Sequence, residues 1–551
     1  MPDFPATRTR DVIFAADVAV IGGGLGGIAA ALAAAEGGAS VVLTSEEAMI
    51  GGQVTAQLTA PLDEHPLVET VGVTARYRRF RNLVRAGGLD NPGGGWVSRL
   101  CFEPLVGLRV LEEMLQPHVD AGRIRIVRAA RPVSVTDVDG HPCHSGSVIG
   151  TVRLRVPTGA HVLVRAAVFA DATELGDLLP LTGTGWTIGS EGADAFGEPD
   201  AVPGGADPRA EQSCTWAAIL VRETEPQPVG DAPPGYSTLR DEQPFSLDLP
   251  DGSGGLARYR FFTAEPGGLA PFWEYRRIRR ASTAVAGVTS ADAASTPAKS
   301  VQEAAVINWS GNDYRASGLV GEPKGSAAGA RALTLAFVHW LRTEAPRDPG
   351  DWPGPFGTGC GYPELRLAPE LSGTDDGLAA APYVRESRRL ANPRPITAAA
   401  LAPVSPGAPA AEIGDSVGIA WYHTDLHPRV GHTRDVYRPT GPFQIPAHAL
   451  VPAEGVGPAN LVMGAKNLAA TQVAAAAYRV HPAEWAIGEA AGVLAAHSVA
   501  HSVDLRGIVD DPAALAEVQQ QLLNGGAPLS WRSAAPYLSQ HALPQTEIRN
   551  A

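Results

Sequence analysis

Three stretches carry side chains whose types and spacing suit proton transfer or anion binding. WYHTDLHP at 421–428 places His423, Asp425 and His427 at every second position. On a strand all three would share one face. An imidazole with a near-neutral pKa can take the proton released when a C–H bond is oxidised, so His423 and His427 are the first candidates for a base. Two imidazoles and one carboxylate would need further ligands to hold a metal, and none is expected. YVRESRRL at 383–390 holds Arg385, Glu386, Arg388 and Arg389. A guanidinium grips a carboxylate through two hydrogen bonds, and Arg388 is the expected anchor. His481, before Pro482 in YRVHPAEW, stands at a helix start. It is a third candidate base, with a helix-capping role as the alternative. Cys101 reads as a small buried hydrophobe. His141-Pro142-Cys143-His144 reads as a solvated hairpin tip.

Those side chains need a scaffold, and its first unit is local. Residues 15–44 read AADVAVIGGGLGGIAAALAAAEGGASVVLT. Asp17 to Ile21 is a short apolar strand, an alanine-rich helix runs to Glu36, and Ser40 to Leu43 is a second strand. Between strand and helix, Gly22, Gly24 and Gly27 spell GxGxxG, with Gly26 inside the motif. Gly22 permits the tight turn, Gly24 lets a pyrophosphate reach the backbone, and Gly27 lets helix and strand pack. The helix start then points free N–H groups at the phosphates. GPFGTGCG at 354–361 has glycines but no strand before it and no helix after it, so a second dinucleotide site is not expected.

The remaining elements follow from periodicity. Residues 70–89 carry basic residues at helical spacing and read as a solvated helix face. A helix is expected from Glu103 to Gln116, and a β-meander with a returning strand over 124–170. Gly, Pro and acidic residues over 186–260 mark an insertion. A helix is expected over 328–343, strands over 417–422 and 460–464, and a long helix from Pro482 to His501. The last 50 residues read as a helix and a tail.

Composition narrows the class. Of 551 residues, 44% are hydrophobic and 19% charged, which is globular. The net charge of −14 argues against a nucleic-acid partner. No apolar run reaches the roughly 18 residues of a membrane span, and MPDFPATRTRDVIF has no apolar leader core, so a cytoplasmic location is expected. Four cysteines without a CxxC pair are neither a disulfide scaffold nor a zinc finger. Only three of the 44 basic residues are lysines, Lys299, Lys324 and Lys466.

Six motifs spread over the chain carry a resemblance. They are IGGGLGG at 21–27, IGGQVTAQ at 50–57, NPGGGWVSRLCFEP at 91–104, FADATELGDLLP at 169–180, YVRESRRL at 383–390 and GAKNL…HPAEWAIGEAAG at 464–492. With them the chain resembles the FAD-dependent oxidoreductases of the glutathione-reductase superfamily. Within these it is most similar to a bacterial group distantly related to fumarate reductase and succinate dehydrogenase flavoproteins.

The resemblance implies an α/β fold: a Rossmann-like FAD domain from 14–185 and 440–501, an inserted mixed α+β substrate domain over 186–439, and a C-terminal helix and tail over 502–551. Gly22, Gly24, Gly26 and Gly27 would hold the FAD pyrophosphate. Ser45 or Glu46 would take the ribose hydroxyls. Gly51, Gly52 and Gln53 would line the flavin, and Asp171 would open the turn beneath the adenine and pyrophosphate. Glu174 stands in that turn where glycine is common. Lys466 and Asn467 would lie by the flavin ring. The helix bearing Glu484 and Gly488 would aim its positive end at the flavin O2.

The implied activity is hydride transfer between a small polar or carboxylated metabolite and flavin N5. The electron acceptor stays open, with O2 one option. The alternatives are a flavin-dependent monooxygenase using NAD(P)H and O2, and a non-redox flavoprotein. Gly464-Ala465 stands where ring hydroxylases of the superfamily carry Gly-Asp. The stretch 51–60 has no histidine to attach flavin covalently.

Overall fold

A nine-residue parallel register sets the frame of the molecule. The computed structural model describes residues 11–250, 256–264, 269–281, 302–349 and 360–532. Residues 354–359 of the second glycine stretch, the first ten residues and the tail from 533 lie outside them. Strand β1 runs from Val12 to Ile21, well upstream of the expected start at Asp17. Helix α1 is Leu25–Glu36 and β2 is Val41–Thr44. The basic stretch forms α2 (Ala75–Val84), and α3 spans Pro104–Asp120. Strands β3 (Ile124–Val127), β4 (Arg131–Asp137), β5 (Ile149–Arg155) and β6 (His161–Asp171) follow. β6 pairs with β1 in parallel from Val12↔Val162 to Ile21↔Asp171, which explains the length of β1.

The solvated face expected for 70–89 is not what α2 presents. Arg81 is buried and pairs with Glu69 and Glu64, and Arg76 pairs with Glu36 and the buried Glu489. A buried guanidinium must be ion-paired to be tolerated, and these carboxylates come from segments that periodicity on 70–89 cannot reveal.

The middle of the chain builds a second sheet. Its strands are β7 (Ala218–Arg222), β8 (Arg277–Arg279), β9 (Ala304–Ile307) and β10 (Leu365–Leu367), in spatial order β8-β9-β7-β10 and antiparallel throughout. Helix α4 (Pro323–Thr343) contributes Phe337 and Leu341 to an aromatic core with Phe261, Trp309 and Tyr362. The chain then forms β11 (Ser416–Ala420), β12 (Thr424–Leu426), β13 (Val436–Arg438) and β14 (Phe443–Pro446), as the hairpin-like pairs β11·β14 and β12·β13.

Strand β15 (Leu461–Met463) returns to the first sheet. β1 fills one edge of β6; on the other, β5 takes the first half and β15 the second. The sheet is therefore parallel where the glycine turn sits, with an antiparallel meander at its far edge: an α/β fold of the Rossmann type. Helices α5 (Gln472–Tyr478), α6 (His481–His501), α7 (Leu505–Asp510) and α8 (Pro512–Asn524) complete the described chain. α6 packs on α1 almost backbone to backbone. A Cβ on Gly488 would lie 1.9 Å from the Gly26 carbonyl oxygen, and one on Gly492 would lie 2.3 Å from that of Ala30. Gly488 thus lets α6 close on α1, and Gly26 makes room for the Gly464 carbonyl, 2.1 Å from where its Cβ would lie.

Candidate active site

The glycine turn leaves β1 at Gly22, whose φ of +115° favours glycine, and whose Cβ would strike the Ala172 carbonyl at 2.0 Å. The Gly22 amide donates to Thr44 Oγ1 at 3.1 Å. The Gly51 amide donates to the Gly23 carbonyl at 2.7 Å, so the 51–53 segment crosses over the turn. Gly24 caps α1 with an ordinary φ of −69°. A Cβ there would meet only side-chain ends, Glu174 Oε1 at 2.8 Å and Glu484 Oε1 at 3.1 Å. Gly24, Gly52 and the α1 start form a cradle: a Cβ on Gly52 would lie 2.9 Å from Gly24 Cα, and the Glu174 carboxylate lies against both glycines.

Charged groups ring this cradle. The buried Lys466 pairs with Glu174 and lies 3.6 Å from Glu484. Burial alone would lower the Lys466 pKa, but Glu174 and Glu484 outweigh it and hold the ammonium charged. Glu484 accepts from the Gly26 amide at 3.3 Å and from Gln53. Gln53 also donates to the Arg479 carbonyl at 3.0 Å. Asp171 faces its own turn, accepting from Thr173 and from the Leu178 amide at 3.1 Å, while burial lifts its carboxyl to about 7. Asn467 ties the 464–467 turn to the Asp171 carbonyl at 3.0 Å. Asp171 and Asn467 are both fully buried in these turns.

At the end of β2, Ser45 packs under Gly23, and a Cβ there would lie 2.6 Å from its own. Glu46 is half-buried, and its Oε1 has no hydrogen-bond partner. Burial and nearby Asp177 push the Glu46 carboxyl up to about 8. Arg388 is also here, not at an anion site. It donates to Asp177 Oδ1 and to the Leu175 carbonyl, both at 2.8 Å. Three buried acceptors around the cradle, on Glu46, Gln53 and Glu174, lack donors. A dinucleotide's ribose and flavin N–H and O–H groups supply donors. A pyrophosphate fits the α1 start once the Glu174 carboxylate turns away from Gly24. The residues present fit FAD.

Behind the 51–63 loop lies a second, denser cluster that the sequence does not announce. Arg276 pairs with Asp63 at 3.3 Å. Arg479 donates to Tyr383 Oη at 2.9 Å and to Asp425 at 2.6 Å. Arg385 pairs with Asp313 at 3.0 Å and donates to Thr215 at 2.8 Å. All three guanidinium groups are buried, and each keeps an Nε without a partner. Burial pushes the Asp63 carboxyl up, but Arg276, His481 and Arg479 together hold it below its usual value.

The three candidate histidines separate sharply here. His427 Nδ1 lies 2.6 Å from Asp313 and its Nε2 lies 3.3 Å from Asp425. Burial and Arg385 lower its pKa, yet Asp425 and Asp313 outweigh them and raise it above the usual value, and a carboxylate faces each ring nitrogen. His481 Nδ1 accepts from the Asp63 amide at 3.0 Å, and its Nε2 faces the Thr59 carbonyl at 2.9 Å. A neutral ring with one accepting and one donating nitrogen satisfies both contacts, and burial keeps its pKa near 4. Neither histidine has a nitrogen free to take a proton. His423 does: among the described residues no hydrogen bond holds its ring, which lies against Tyr422 and Tyr437 with both centroids at 4.0 Å. Burial lowers it to about 4, which leaves it neutral near pH 7. The single-face strand expected for 423–427 is not formed. β12 covers only Thr424–Leu426, and His423 and His427 flank it.

His65 props this region from behind. It is buried against Trp421 and Trp531, each ring 5.5 Å away, and burial lowers it to about 3. The unfolded chain binds a proton at His65 near pH 6.5 while the folded chain does not, so stability is lost as pH falls below that value. A His65→Phe variant keeps the aromatic contact and removes the proton site. From pH 6.5 to pH 5 it should gain about 2 kcal/mol relative to wild type. Parallel pH profiles in chemical denaturation would contradict this. Cys101 is buried, with its thiol pushed up to about 12. It should resist alkylation in the native protein and react only after unfolding, as peptide mapping would read; native labelling would place it at an opening. The His141–His144 tip is a turn between β4 and β5, with His141 77% exposed.

A family model described as FAD dependent oxidoreductase matches residues 17–522. The carotenoid phi-ring synthase of Streptomyces griseus is 37% identical over 101 residues, which is 18% of this chain and 20% of that protein. The match thus spans about a fifth of that relative. Among solved structures, L-proline dehydrogenase from P. horikoshii aligns at 16% identity and a TM-score of 0.18, over 33% of this chain and 25% of that one. A 3-ketosteroid-Δ4-(5α)-dehydrogenase from Rhodococcus jostii RHA1 aligns at 16% and 0.20, over 32% and 50%. A flavocytochrome c3 fumarate reductase aligns at 15% and 0.17, over 28% and 33%. Among the described residues, no helix is long and apolar enough to cross a membrane.

Proposed function

The chain belongs to the FAD-dependent oxidoreductase family and uses FAD; from that premise we propose that it moves hydride between a small carboxylated metabolite and flavin N5. In this reading His423 is the base, and Arg276 and Arg479 hold the substrate carboxylate. FAD, when bound, supplies the hydride-accepting centre that no side chain provides. Gly24, Gly52 and the α1 start would hold its pyrophosphate, Glu46 its ribose, and the α6 start and Lys466 would place positive charge by the ring.

One observation carries the reading. The glycine cradle and the arginine cluster adjoin where Gln53 donates to the Arg479 carbonyl while the Arg479 side chain closes on Tyr383 and Asp425. Four cationic groups, Arg276, Arg385, Arg479 and His427, stand among three carboxylates, Asp63, Asp313 and Asp425. One positive charge is left for an anion, and each of the three guanidinium groups has an Nε donor without a partner among the described residues. Asp435 and Arg315 adjoin the cluster and offset one another. His427 and His481 are positioning residues, the first fixing Asp425 and Asp313, the second fixing the Asp63 backbone.

The anion assignment predicts a selective loss. An Arg276→Gln variant should bind a carboxylate-bearing donor about 10–100-fold more weakly, the worth of a charge-assisted hydrogen bond, and its amide analogue nearly as well as wild type does. Equal losses for acid and amide in titrations of the holoenzyme would sink the assignment.

A further inference from the structure

Far along α6 from the cradle, a second group of side chains has the chemistry of a metal site. His497 and His501 are one helical turn apart and so share a face. Their rings stack with centroids 4.2 Å apart at 27°. The chain turns back after Ser502, and α8 brings Glu517 to the same face, with Oε2 3.8 Å from His497 Nε2. One ligand atom from each of the three residues lies within 4.8 Å of the others. Tetrahedral coordination with bonds of about 2.0–2.1 Å needs ligand atoms about 3.4 Å apart. Closing that gap takes rotation of His501 and Glu517, both exposed.

The surroundings favour a ligand role for His497. It is only 3% exposed, so its ring is held in place by the packing around it. The Gln521 side-chain Nε2 lies 3.1 Å from its Nδ1. Turning that amide over would bring its oxygen to accept from Nδ1–H, which frees the Nε2 lone pair on the side of Glu517 and gives the ring outer-shell support. The other group with metal-like spacing, Asp137, Asp139 and His141, differs. There Asp137 Oδ1 already accepts from the amides of Asp139 and His141.

We propose that His497, His501 and Glu517 bind a divalent transition-metal ion of the zinc class, with water in the fourth position, and that the ion clamps α8 onto α6. Two imidazoles and a carboxylate suit Zn2+ over the oxygen-seeking Mg2+ and Ca2+.

The test is calorimetric titration of the chelator-treated, full-length holoenzyme with Zn2+ near neutral pH, with His501→Ala and Glu517→Gln beside it. Both variants change exposed side chains remote from the flavin, so they should fold and keep their FAD. Wild type should take up one ion per chain at this site and gain thermal stability with zinc. Each variant should bind that ion at least about tenfold more weakly, with the zinc-dependent stabilisation reduced or lost. Failure of wild type to take up zinc, or uptake unchanged in affinity and stoichiometry in both variants, would overturn the site.

Discussion

A Gly24→Val variant should fold normally and purify without FAD. The distinction comes from what each glycine faces. A Cβ on Gly22, Gly26 or Gly488 would meet backbone at 1.9–2.1 Å, so substitution there damages the fold itself. At Gly24 the φ is −69° and the nearest atoms are the ends of Glu174 and Glu484, which can move aside. The valine would instead stand in the cradle and keep the pyrophosphate from the α1 amides. Each charge-assisted hydrogen bond lost is worth about 1.5–3 kcal/mol, so FAD affinity should fall at least about a hundredfold. Flavin content per folded chain, with thermal stability measured with and without added FAD, reads the two effects apart. A folded variant with wild-type FAD content would remove the cradle assignment.

The second large effect falls on the base. His423→Phe preserves the ring contacts with Tyr422 and Tyr437 and removes only the nitrogen lone pair. FAD content should be unchanged, while the rate of flavin reduction by substrate falls by about 10²–10⁴-fold, the usual worth of a positioned base. The pH dependence carries the sign of the same claim. Burial holds His423 near 4, so the wild-type rate should be full near neutrality and fall as the pH drops through about 4, where the ring takes a proton before the substrate can give one. The low value leaves the ring available at neutral pH but a weaker base than an unperturbed imidazole. An unaltered rate in the variant would shift proton removal to another group. Rapid mixing under anaerobic conditions measures both.

The two halves of the site were not equally legible in the sequence. The glycine turn, α1, β2, the return strand and α6 are local in sequence, and each follows from spacing within a few dozen residues. Even so, the length of β1 was hidden, because its first five residues are strand only through pairing with the remote β6. The arginine cluster is the opposite case. Asp63, Arg276, Asp313, Arg385, Asp425 and Arg479 meet from six separate segments, and no window of sequence contains the pattern. Within YVRESRRL the sequence cannot say which guanidinium turns which way. Arg388 went to Asp177 by the cofactor cradle, Arg385 to the cluster, and Arg389 to Glu386 and Glu191. Alternation along an extended chain places Arg385 and Arg389 on one side and Arg388 on the other, which was the one available hint. For the histidines, residue type marked the candidates, but only the partners of each ring nitrogen separate His423 from His427 and His481.

In the proposed function, flavin is reduced by a carboxylated metabolite at a site built from Arg276, Arg479 and His423. The direct test is anaerobic stopped-flow of the holoenzyme, following the flavin's visible absorbance against small hydroxy, amino and unsaturable acids with no nicotinamide present. Saturable bleaching by at least one such acid is expected, with none by its amide at the same concentration and a rate that collapses in His423→Phe. Bleaching by NADH or NADPH alone, with every acid inert, would contradict it.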